Sequence, residues 1–505
     1  MGDLESKLKH YWRHPTFSMN KVKDYILKNL KTILKDKAKE NFYDCNEHWS
    51  LKYFKIKRKN GKVKFYLNEK GINFLKSLKG KIEKDKFEFH PSSLKPIHKV
   101  KPGKRKIPPV DIVISRIMNR EGEFSRYFRI LSTPKPEDYL VEKALFDFLN
   151  KKFSKFFHPC SFAFRKFRKN RINSNRATTR AIKKLEELMG DGYKFVTKID
   201  IEKYFDSVDH EIMIKLLRNF LKENGYFLSR KDRQTIIKYV ENFLLSVEKT
   251  FSRFSNNYQR KGIFQGHPIS CFLANVYLHY FDKKLSEKSF KFVRYADDIT
   301  ILTWTKEEGE KAFKFAKGYL EKNLKLKVNE KKSLIGETEF EFLGFKYNSD
   351  GSKEIRKKSI EKAKNKIRKI TSFKNKKYKI ERLIREINQF LGYKLESGND
   401  EEEIEKKVKK RLGWYTGKGW IDFFAECSNG KDFDSILSQM RNMDCFTRDR
   451  LRSYKYGKTD WDREIIKSDN EEFFNMGLRS FAGTYKMAFK KYQDRKLKIL
   501  SYKKI

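Results

Sequence analysis

Two periods of hydrophobic and polar residues divide the chain. Residues 53–67, "YFKIKRKNGKVKFYL", alternate every second position around an Asn60-Gly61 pair, which predicts a β-hairpin. Between about residues 126 and 345, strand-like pieces alternate with helix-like pieces, a pattern typical of an α+β unit. After Gly344 the apolar positions recur with helical spacing, as in "IERLIREINQFL". The last third of the chain is therefore predicted to be mainly α-helical.

Three lysines of the predicted hairpin, Lys55, Lys57 and Lys59, would share one face because they alternate along one strand. Such a basic ribbon could lie along a phosphate backbone. A solvated strand edge that lysines protect from pairing with another chain explains the pattern equally well. The sequence leaves both interpretations open.

Two adjacent carboxylates, Asp297 and Asp298, interrupt the strand-like stretch "FVRYADDITIL". The residues on either side predict a hairpin with the pair at its tip. Neighbouring carboxylates are costly unless a cation neutralises them or one keeps its proton. Asp200 lies near the end of another predicted strand, 195–201. An Asp near a strand end is often an ordinary turn residue, so Asp200 by itself does not indicate a metal site. Brought beside Asp297, it would complete an oxygen site suited to Mg²⁺.

The stretch "GIFQGHPISCFLANVYLHYFD" predicts a loop followed by an amphipathic helix. Gly266 would let a nucleotide approach the backbone closely, and the Gln265 amide could bind a base or the backbone. An ordinary loop with Gly and Pro before a helix explains the same residues. Taken alone, this motif favours the ordinary loop.

The composition indicates a polyanionic partner. The 505 residues include 116 Lys and Arg against 66 Asp and Glu, a formal net charge of +50. Positive charge spread along the chain favours nucleic acid over a local membrane patch, although a Lys-rich codon bias would explain part of the excess. Five dispersed cysteines without a C-x-x-C pair predict neither disulfides nor a zinc site. Without an apolar N-terminal region or a spanning segment, the expected location is the cytoplasm.

In order and spacing, Asp200, the "QGHPIS" motif and "YADD" resemble the palm motifs of bacterial reverse transcriptases of the group II intron, retron and defence-associated types. The resemblance implies a two-metal polymerase that uses Mg²⁺, with Mn²⁺ as the alternative ion. It also implies metal ligation by Asp200, Ile201 and Asp297, with Asp298 as an accessory ligand.

The resemblance extends to substrate contacts. The aromatic residue five positions after Asp200 resembles a steric gate against the ribose 2′-hydroxyl, so deoxynucleotides (dNTPs) are the implied substrates. Lys332 in "LKLKVNEKKS" resembles the catalytic lysine that protonates departing pyrophosphate. The implied nucleotide contacts are Phe205 as the gate, Gln265, Gly266, Arg126 and Arg129. The implied nucleic-acid contacts are Arg165 of "CSFAFRKFR" and Leu343 and Gly344 of "FEFLGF".

The predicted architecture is an α+β right-hand polymerase with fingers, a palm that contains an antiparallel sheet, and an α-helical thumb. A basic N-terminal extension is predicted over residues 1–99, and fingers and palm over residues 100–345. The thumb is predicted over residues 346–455, followed by a C-terminal helical tail over residues 456–505.

The resemblance implies a protein that copies RNA into DNA. The expected partners are a structured non-coding RNA template, the DNA product and dNTPs, with no membrane and with a homo-oligomer left open. The chain shows no HNH-type Cys/His cluster and no N-A-x-x-H or V-T-G retron motif. These absences favour a stand-alone antiphage defence enzyme by family analogy. The alternatives are a group II intron or retron enzyme, a template-independent DNA polymerase, an RNA-dependent RNA polymerase, and a non-enzymatic RNA-binding protein with a polymerase shell.

Overall fold

The structure of the protein is a computed structural model. It covers residues 20–43, 48–59, 62–98, 109–118, 128–165, 167, 176–255, 258–330, 333–337, 339–372, 379–394, 414–415, 419–457 and 462–503. The predicted turn at Asn60 and Gly61 and two predicted site residues, Arg126 and Lys332, lie outside these ranges.

The strands are short and occur mainly before residue 356. They are β1 (Phe54–Lys59), β2 (Lys62–Leu67), β3 (Ser93–His98), β4 (Phe128–Thr133), β5 (Phe195–Asp200), β6 (Lys291–Tyr295), β7 (Asp298–Thr303), β8 (Leu334–Glu337), β9 (Phe340–Phe342), β10 (Phe345–Tyr347), β11 (Lys353–Ile355), β12 (Tyr393–Lys394) and β13 (Trp414–Tyr415).

The helices occupy most of the remaining described chain. They are α1 (Lys21–Tyr43), α2 (Glu69–Glu83), α3 (Val110–Met118), α4 (Pro136–Phe153), α5 (Ala177–Gly190), α6 (Tyr204–Ser207), α7 (His210–Asn224), α8 (Arg230–Phe251), α9 (Pro268–Tyr277), α10 (His279–Glu287), α11 (Lys306–Leu324), α12 (Lys357–Ile370), α13 (Ile380–Leu391), α14 (Trp420–Cys427), α15 (Phe433–Tyr456), α16 (Arg463–Asn475) and α17 (Phe481–Lys503). Short 3₁₀ helices span Leu51–Tyr53, Ser154–Phe156 and Gly430–Asp432.

The chain divides into two compact units. Unit 1 consists of Met1–Lys166, Thr197–Ile301 and Glu307–Leu334, and unit 2 consists of Phe167–Val196, Leu302–Lys306 and Ile335–Ile505. The predicted boundaries near residues 99, 345 and 455 stay predictions.

The core of unit 1 is made by helices that pack on one another. Helix α4 packs on α1 and α9, and α9 also packs on α7. Buried rings from three of these helices meet, because Phe153 lies with its ring centroid 5.5 Å from Phe220 and 6.3 Å from Phe272. This apolar layer fixes α9, the helix that begins immediately after the "QGH" loop.

A four-stranded sheet has the strand order β6-β7-β5-β8. Strands β6 and β7 form the predicted hairpin, since only Ala296 and Asp297 separate them. After Asp298 every residue of β7 is buried. This explains why "ITILT" is continuously apolar or Thr and does not alternate.

Unit 2 is mainly helical, as predicted. Helices α12 and α13 cover the two stretches whose spacing predicted them, and α17 packs on both α14 and α15. A small three-stranded sheet, β11-β10-β9, belongs to the same unit. Its β11 carries the buried Lys353, whose Nζ lies 2.6 Å from Glu186 and 2.7 Å from Asp432.

Within the described residues, no helix combines the length and the apolar character needed to span a membrane.

Candidate active site

Asp200 is the last residue of β5 and is half-buried. Its backbone is fixed on both sides, because Asn329 N–H donates to the Asp200 carbonyl (2.8 Å) and Asp200 N–H donates to Ser333 Oγ (3.3 Å). The next residue, Ile201, forms an antiparallel bridge with Val328. The strand end predicted from the sequence is therefore held by Val328, Asn329 and Ser333.

The "YADD" residues form the tip of the β6-β7 hairpin. Tyr295 ends β6, Ala296 takes a left-handed conformation with φ +60°, and Asp298 begins β7. A left-handed residue with a Cβ is uncommon, so the surrounding structure must hold this turn. Asp297, the second turn residue, is exposed.

Lys198 distinguishes the two adjacent carboxylates. Its Nζ lies 3.3 Å from Asp298 Oδ1, across the neighbouring strands β5 and β7. Both side chains are partly accessible, at 22% and 35%. The charge of Asp298 is therefore compensated within the protein, which leaves Asp297 as the carboxylate more suited to an external cation.

The electrostatic environment raises the pKa of the Asp297 carboxyl above its ordinary value. Desolvation by the protein atoms crowded around the carboxyl is the largest cause, although the residue as a whole is open to solvent. Repulsion by Asp298 and Asp200 adds to the increase, and Arg129 opposes it. The charges of Asp200 and Arg129 therefore both act on Asp297, and the assignment of these residues to a common catalytic site stays a prediction.

Lys198→Met is expected to move the acidic limb of the pH–rate profile for dNTP incorporation to higher pH. Without the ammonium group, Asp298 repels Asp297 more strongly, and a higher pH is needed to ionise Asp297. Because the pair is partly exposed, we expect the rate at pH 7 to fall only about two- to fivefold. Lys194→Met, at an exposed position before the same strand, is the control. Equal profiles for both variants would refute the assignment.

Arg294 lies fully buried under the carboxylate turn. Its Nε and Nη2 donate to the two Asp282 carboxylate oxygens at 2.7 and 2.6 Å, and both side chains have 0% exposure. Its Nη1 donates to the Ala296 carbonyl at 3.0 Å and to Asn275 Oδ1 at 3.2 Å. A planar guanidinium group suits this arrangement because it donates hydrogen bonds in several fixed directions at once. Arg294 thereby ties the left-handed turn residue to helices α9 and α10.

The predicted steric gate is fixed through its backbone. Phe205 lies in the short helix α6, with its side chain partly buried against the core. Ile263 N–H donates to the Phe205 carbonyl at 2.7 Å. Two residues later, Gln265 contributes its own carbonyl to Ser132 N–H at 3.0 Å. The loop that carries Gln265 is thus bound both to the gate segment and to strand β4.

Glycine is required at position 266 because two backbone segments approach each other closely there. Its φ is +105°, and a Cβ at this position would lie 2.9 Å from the Ser132 carbonyl oxygen. The next residue, His267, is buried and links α4 to the same strand, because its Nδ1 lies 2.8 Å from Glu142 Oε1 and its Nε2 lies 3.0 Å from Ser132 Oγ. Burial raises the pKa of Glu142, and His267 opposes this increase. This network is a structural support that the sequence did not reveal.

The other predicted contacts lie on different parts of the chain. Arg129 is an exposed residue of β4, whereas the Arg165 guanidinium donates to the carbonyls of His158 and Ser161. Leu343 and Gly344 form the turn between β9 and β10 in unit 2, both with positive φ. Their roles in binding nucleotide or nucleic acid stay predictions.

The carboxylates do not form a metal cage by themselves. Among the described residues, no group of three or more His, Cys, Asp and Glu side chains is close enough to hold an ion. The three carboxylates nevertheless fit a divalent cation that keeps water and phosphate oxygens as its other ligands. The negative charges of Asp200 and Asp298 repel that of Asp297, and a bound cation would relieve this repulsion.

A protein-family model described as "Reverse transcriptase (RNA-dependent DNA polymerase)" matches residues 120–347. These residues are therefore similar to reverse transcriptase domains. Every site residue predicted from the sequence, from Arg126 to Gly344, lies within the match. The domain match and the mixed helix and strand architecture confirm the predicted α+β right-hand polymerase fold.

Curated relatives of the reverse transcriptase domain include intron-encoded proteins. The COX1/OXI3 intron 1 protein of Saccharomyces cerevisiae is 24% identical over 345 residues, which are 58% of this chain and 37% of that protein. The group II intron-encoded protein LtrA of Lactococcus lactis is 29% identical over 175 residues, which are 34% of this chain and 25% of that protein. This chain therefore matches well under half the length of each relative.

Solved structures to which this chain shows similarity include a telomerase from Candida albicans in complex with the TWJ fragment of telomeric RNA. It covers 91% of this chain and 74% of its own, with 12% identity and a TM-score of 0.36. A partial Cas6-RT-Cas1–Cas2 complex covers 60% of this chain and 43% of its own, with 18% identity and a TM-score of 0.28.

Three residues that support the site were not predicted from the sequence. Lys198 had a usable signal, since it lies two residues before Asp200 on the same strand face. Arg294 was one of two charged residues, with Lys291, in the otherwise apolar segment "FKFVRY". Its partner Asp282 is twelve residues away, and nothing in the local sequence pairs them. His267 looked like an ordinary loop residue.

Proposed function

We propose that the protein is an RNA-directed DNA polymerase that joins dNTPs to a 3′-hydroxyl on an RNA template. The observation that carries the proposal is that Asp200 ends β5 and Asp297 directly precedes the neighbouring strand β7, within the reverse transcriptase match, so that the charge of Asp200 raises the pKa of Asp297. Intact carboxylates at both positions argue against a shell that only binds RNA.

The proposed mechanism assigns a task to each residue. Asp200, the Ile201 carbonyl and Asp297 would hold two divalent ions, Mg²⁺ by preference. When bound, such ions activate the attacking hydroxyl and stabilise the leaving pyrophosphate. Arg129 would bind the triphosphate of the incoming dNTP through its guanidinium group. Lys332 would donate a proton to pyrophosphate.

A primer-extension assay tests the activity. We expect Mg²⁺-dependent incorporation of dTTP on an oligo(dT) primer annealed to poly(rA), and less on poly(dA). If no dTTP is incorporated, a non-enzymatic RNA-binding protein with a polymerase shell becomes the better interpretation. Incorporation without a template, or of UTP in place of dTTP, would instead favour a template-independent polymerase or an RNA-dependent RNA polymerase.

Phe205→Val is expected to raise the ratio of ribonucleotide to deoxynucleotide kcat/KM by roughly 10- to 100-fold, because a smaller side chain leaves room for the 2′-hydroxyl. Phe205→Tyr keeps the ring and is the matched control. Competitive single-nucleotide incorporation measures the ratio. If Val and Tyr variants discriminate alike, Phe205 is not the gate.

The biological setting is proposed at two levels. The structured RNA template and the DNA product are supported by the charge of +50 and the proposed reaction. A cytoplasmic location is a further proposal, based on the five dispersed cysteines. A role in antiphage defence rests on the missing intron and retron motifs. The intron-encoded relatives favour the second candidate, a group II intron-type enzyme. Sequencing the RNA and DNA that co-purify with the protein separates the two, and mass photometry of the same sample gives the oligomeric state.

A further inference from the structure

Strands β1 and β2 pair in a register that places lysines opposite lysines. Lys57 is directly opposite Lys64, Lys55 is opposite Tyr66, and the register continues with Lys59 opposite Lys62. Directly opposed residues of an antiparallel pair point to the same side. Lys55, Lys57, Lys64 and Tyr66 are all exposed and form what we call the lysine face.

The opposite side of this hairpin is anchored in the core of unit 1. Phe54 and Phe65 are buried, with their ring centroids 6.0 Å apart in an edge-to-face arrangement. The preceding Tyr53 stacks on Phe74 of helix α2 at 4.5 Å. Because one side is fixed by this packing, the lysine face has a defined orientation on the unit and is not a loose charged segment.

The lysine face carries an uncompensated like-charge pair. Like charges directly opposite each other in an antiparallel pair destabilise the sheet. Within the described residues, Lys55, Lys57 and Lys64 form no ion pair with a carboxylate. The Lys57 ammonium instead lies 6.0 Å from the centre of the Tyr66 ring. A polyanion bound to this side would neutralise the repulsion.

We propose that the lysine face is a binding site for the phosphate backbone of a folded RNA. The inference rests on the proposed function and adds a surface to it, separate from the Asp200 and Asp297 site. Alternate residues on a strand are about 6.7 Å apart, close to the spacing of successive phosphates along a nucleic-acid strand. Tyr66 is 40% exposed and offers a ring for stacking on an unpaired base.

Nucleic acid fits this surface better than a lipid membrane does. Among the described side chains of the lysine face none is aliphatic and able to enter a bilayer, whereas these side chains present three cations and one aromatic ring. Sequence-independent phosphate contacts of this type fix the register of a protein on its nucleic acid without reading bases.

A charge-reversal variant separates RNA binding from a purely structural role. In Lys57→Glu the new carboxylate faces Lys64, so the free protein should gain thermal stability from an opposite-charge pair. The same change should weaken binding of a labelled RNA hairpin by roughly tenfold or more at low salt. A higher Tm together with a lower affinity is the expected result.

A charge-neutral double variant measures the number of phosphate contacts. For Lys57→Gln with Lys64→Gln, the slope of log Kd against log salt concentration should become shallower by about 1.4 to 1.8. The control is Lys288→Gln with Lys322→Gln, which removes the same charge at exposed positions elsewhere in unit 1. Extension of oligo(dT) on poly(rA), at saturating primer–template, should be unchanged in both double variants.

Three outcomes would overturn the inference. The first is an equal loss of RNA affinity in the two double variants. The second is unchanged RNA affinity with self-association of the Lys57→Gln, Lys64→Gln protein, which would identify a protected strand edge. The third is preferential binding of wild type to phosphatidylserine vesicles. Because poly(rA) extension is measured in parallel, loss of the polymerase activity itself is recognised separately.

Discussion

Asp297→Asn is expected to reduce dNTP incorporation by at least about 10³-fold, whereas Asp298→Asn reduces it by only about tenfold. A bound metal supplies several kcal/mol of transition-state stabilisation, and about 1.4 kcal/mol corresponds to a factor of ten in rate. Asp298 contributes less because Lys198 already neutralises part of its charge, with Nζ 3.3 Å from Oδ1. Single-turnover incorporation with saturating Mg²⁺ measures both variants.

The same variant should have an opposite effect on the stability of the metal-free protein. Since the native pKa of Asp297 is raised, the native state binds its proton more tightly than the unfolded state does. The stability this provides is present at low pH and is lost as the pH rises through the raised value. At pH 7 the ionised carboxylate therefore destabilises the fold, and Asp297→Asn should raise the Tm. Mg²⁺ should stabilise wild type and not the variant.

The Asp297 assignment has a clear control. Asp297→Ala combined with Asp298→Ala should abolish incorporation, and an Asp350→Asn variant, on an exposed turn of unit 2, should keep full activity. If Asp298→Asn proves as damaging as Asp297→Asn, the two carboxylates share the metal, and the distinction made by Lys198 is wrong.

Arg294→Leu is expected to lower the free energy of unfolding by about 3–5 kcal/mol. Removing one partner of a buried ion pair leaves the other charge uncompensated in a low-dielectric interior. Here the remaining charge would be Asp282, and the Ala296 carbonyl would also lose its donor. The loss should appear as a lower urea midpoint, with little change in the slope of the transition.

Two further variants separate the charge of Arg294 from its geometry. Arg294→Leu with Asp282→Leu should recover much of the stability, because no buried charge remains, but not the activity, because the turn at Ala296 is still unsupported. Arg218→Leu, in an exposed pair with Glu241, is the matched control and should cost less than about 1 kcal/mol. Equal destabilisation by Arg294→Leu and Arg218→Leu would contradict the account.

Much of the fold could be predicted because its signals are local. Period-two alternation around Asn60 and Gly61 predicted β1 and β2, and helical spacing predicted α12 and α13. The strand that ends at Asp200 and the hairpin tip at Asp297 were also predictable, because apolar flanks and polar ends lie within a few residues of each other. The domain match over residues 120–347 agrees with these motifs.

Contacts between distant segments could not be predicted from the same patterns. The buried Glu142–His267–Ser132 network joins His267 to two residues more than a hundred positions earlier in the chain, and each of the three has an ordinary local context. Arg165 was predicted as a nucleic-acid contact, but its guanidinium also closes the turn that begins at His158. Whether an arginine binds nucleic acid or stabilises a turn depends on the groups that the folded chain places beside it.

The sequence by itself determined the types of the main elements, the identity of the carboxylates and the excess of positive charge, because each depends on residue type and short-range spacing. Only the tertiary structure decided that Lys198 compensates Asp298, that Arg294 supports the turn before Asp297, and that Lys57 faces Lys64 across two strands. These features arise from the pairing of separate segments. Their energies are set by burial and by distances of a few ångströms, neither of which is written in local spacing.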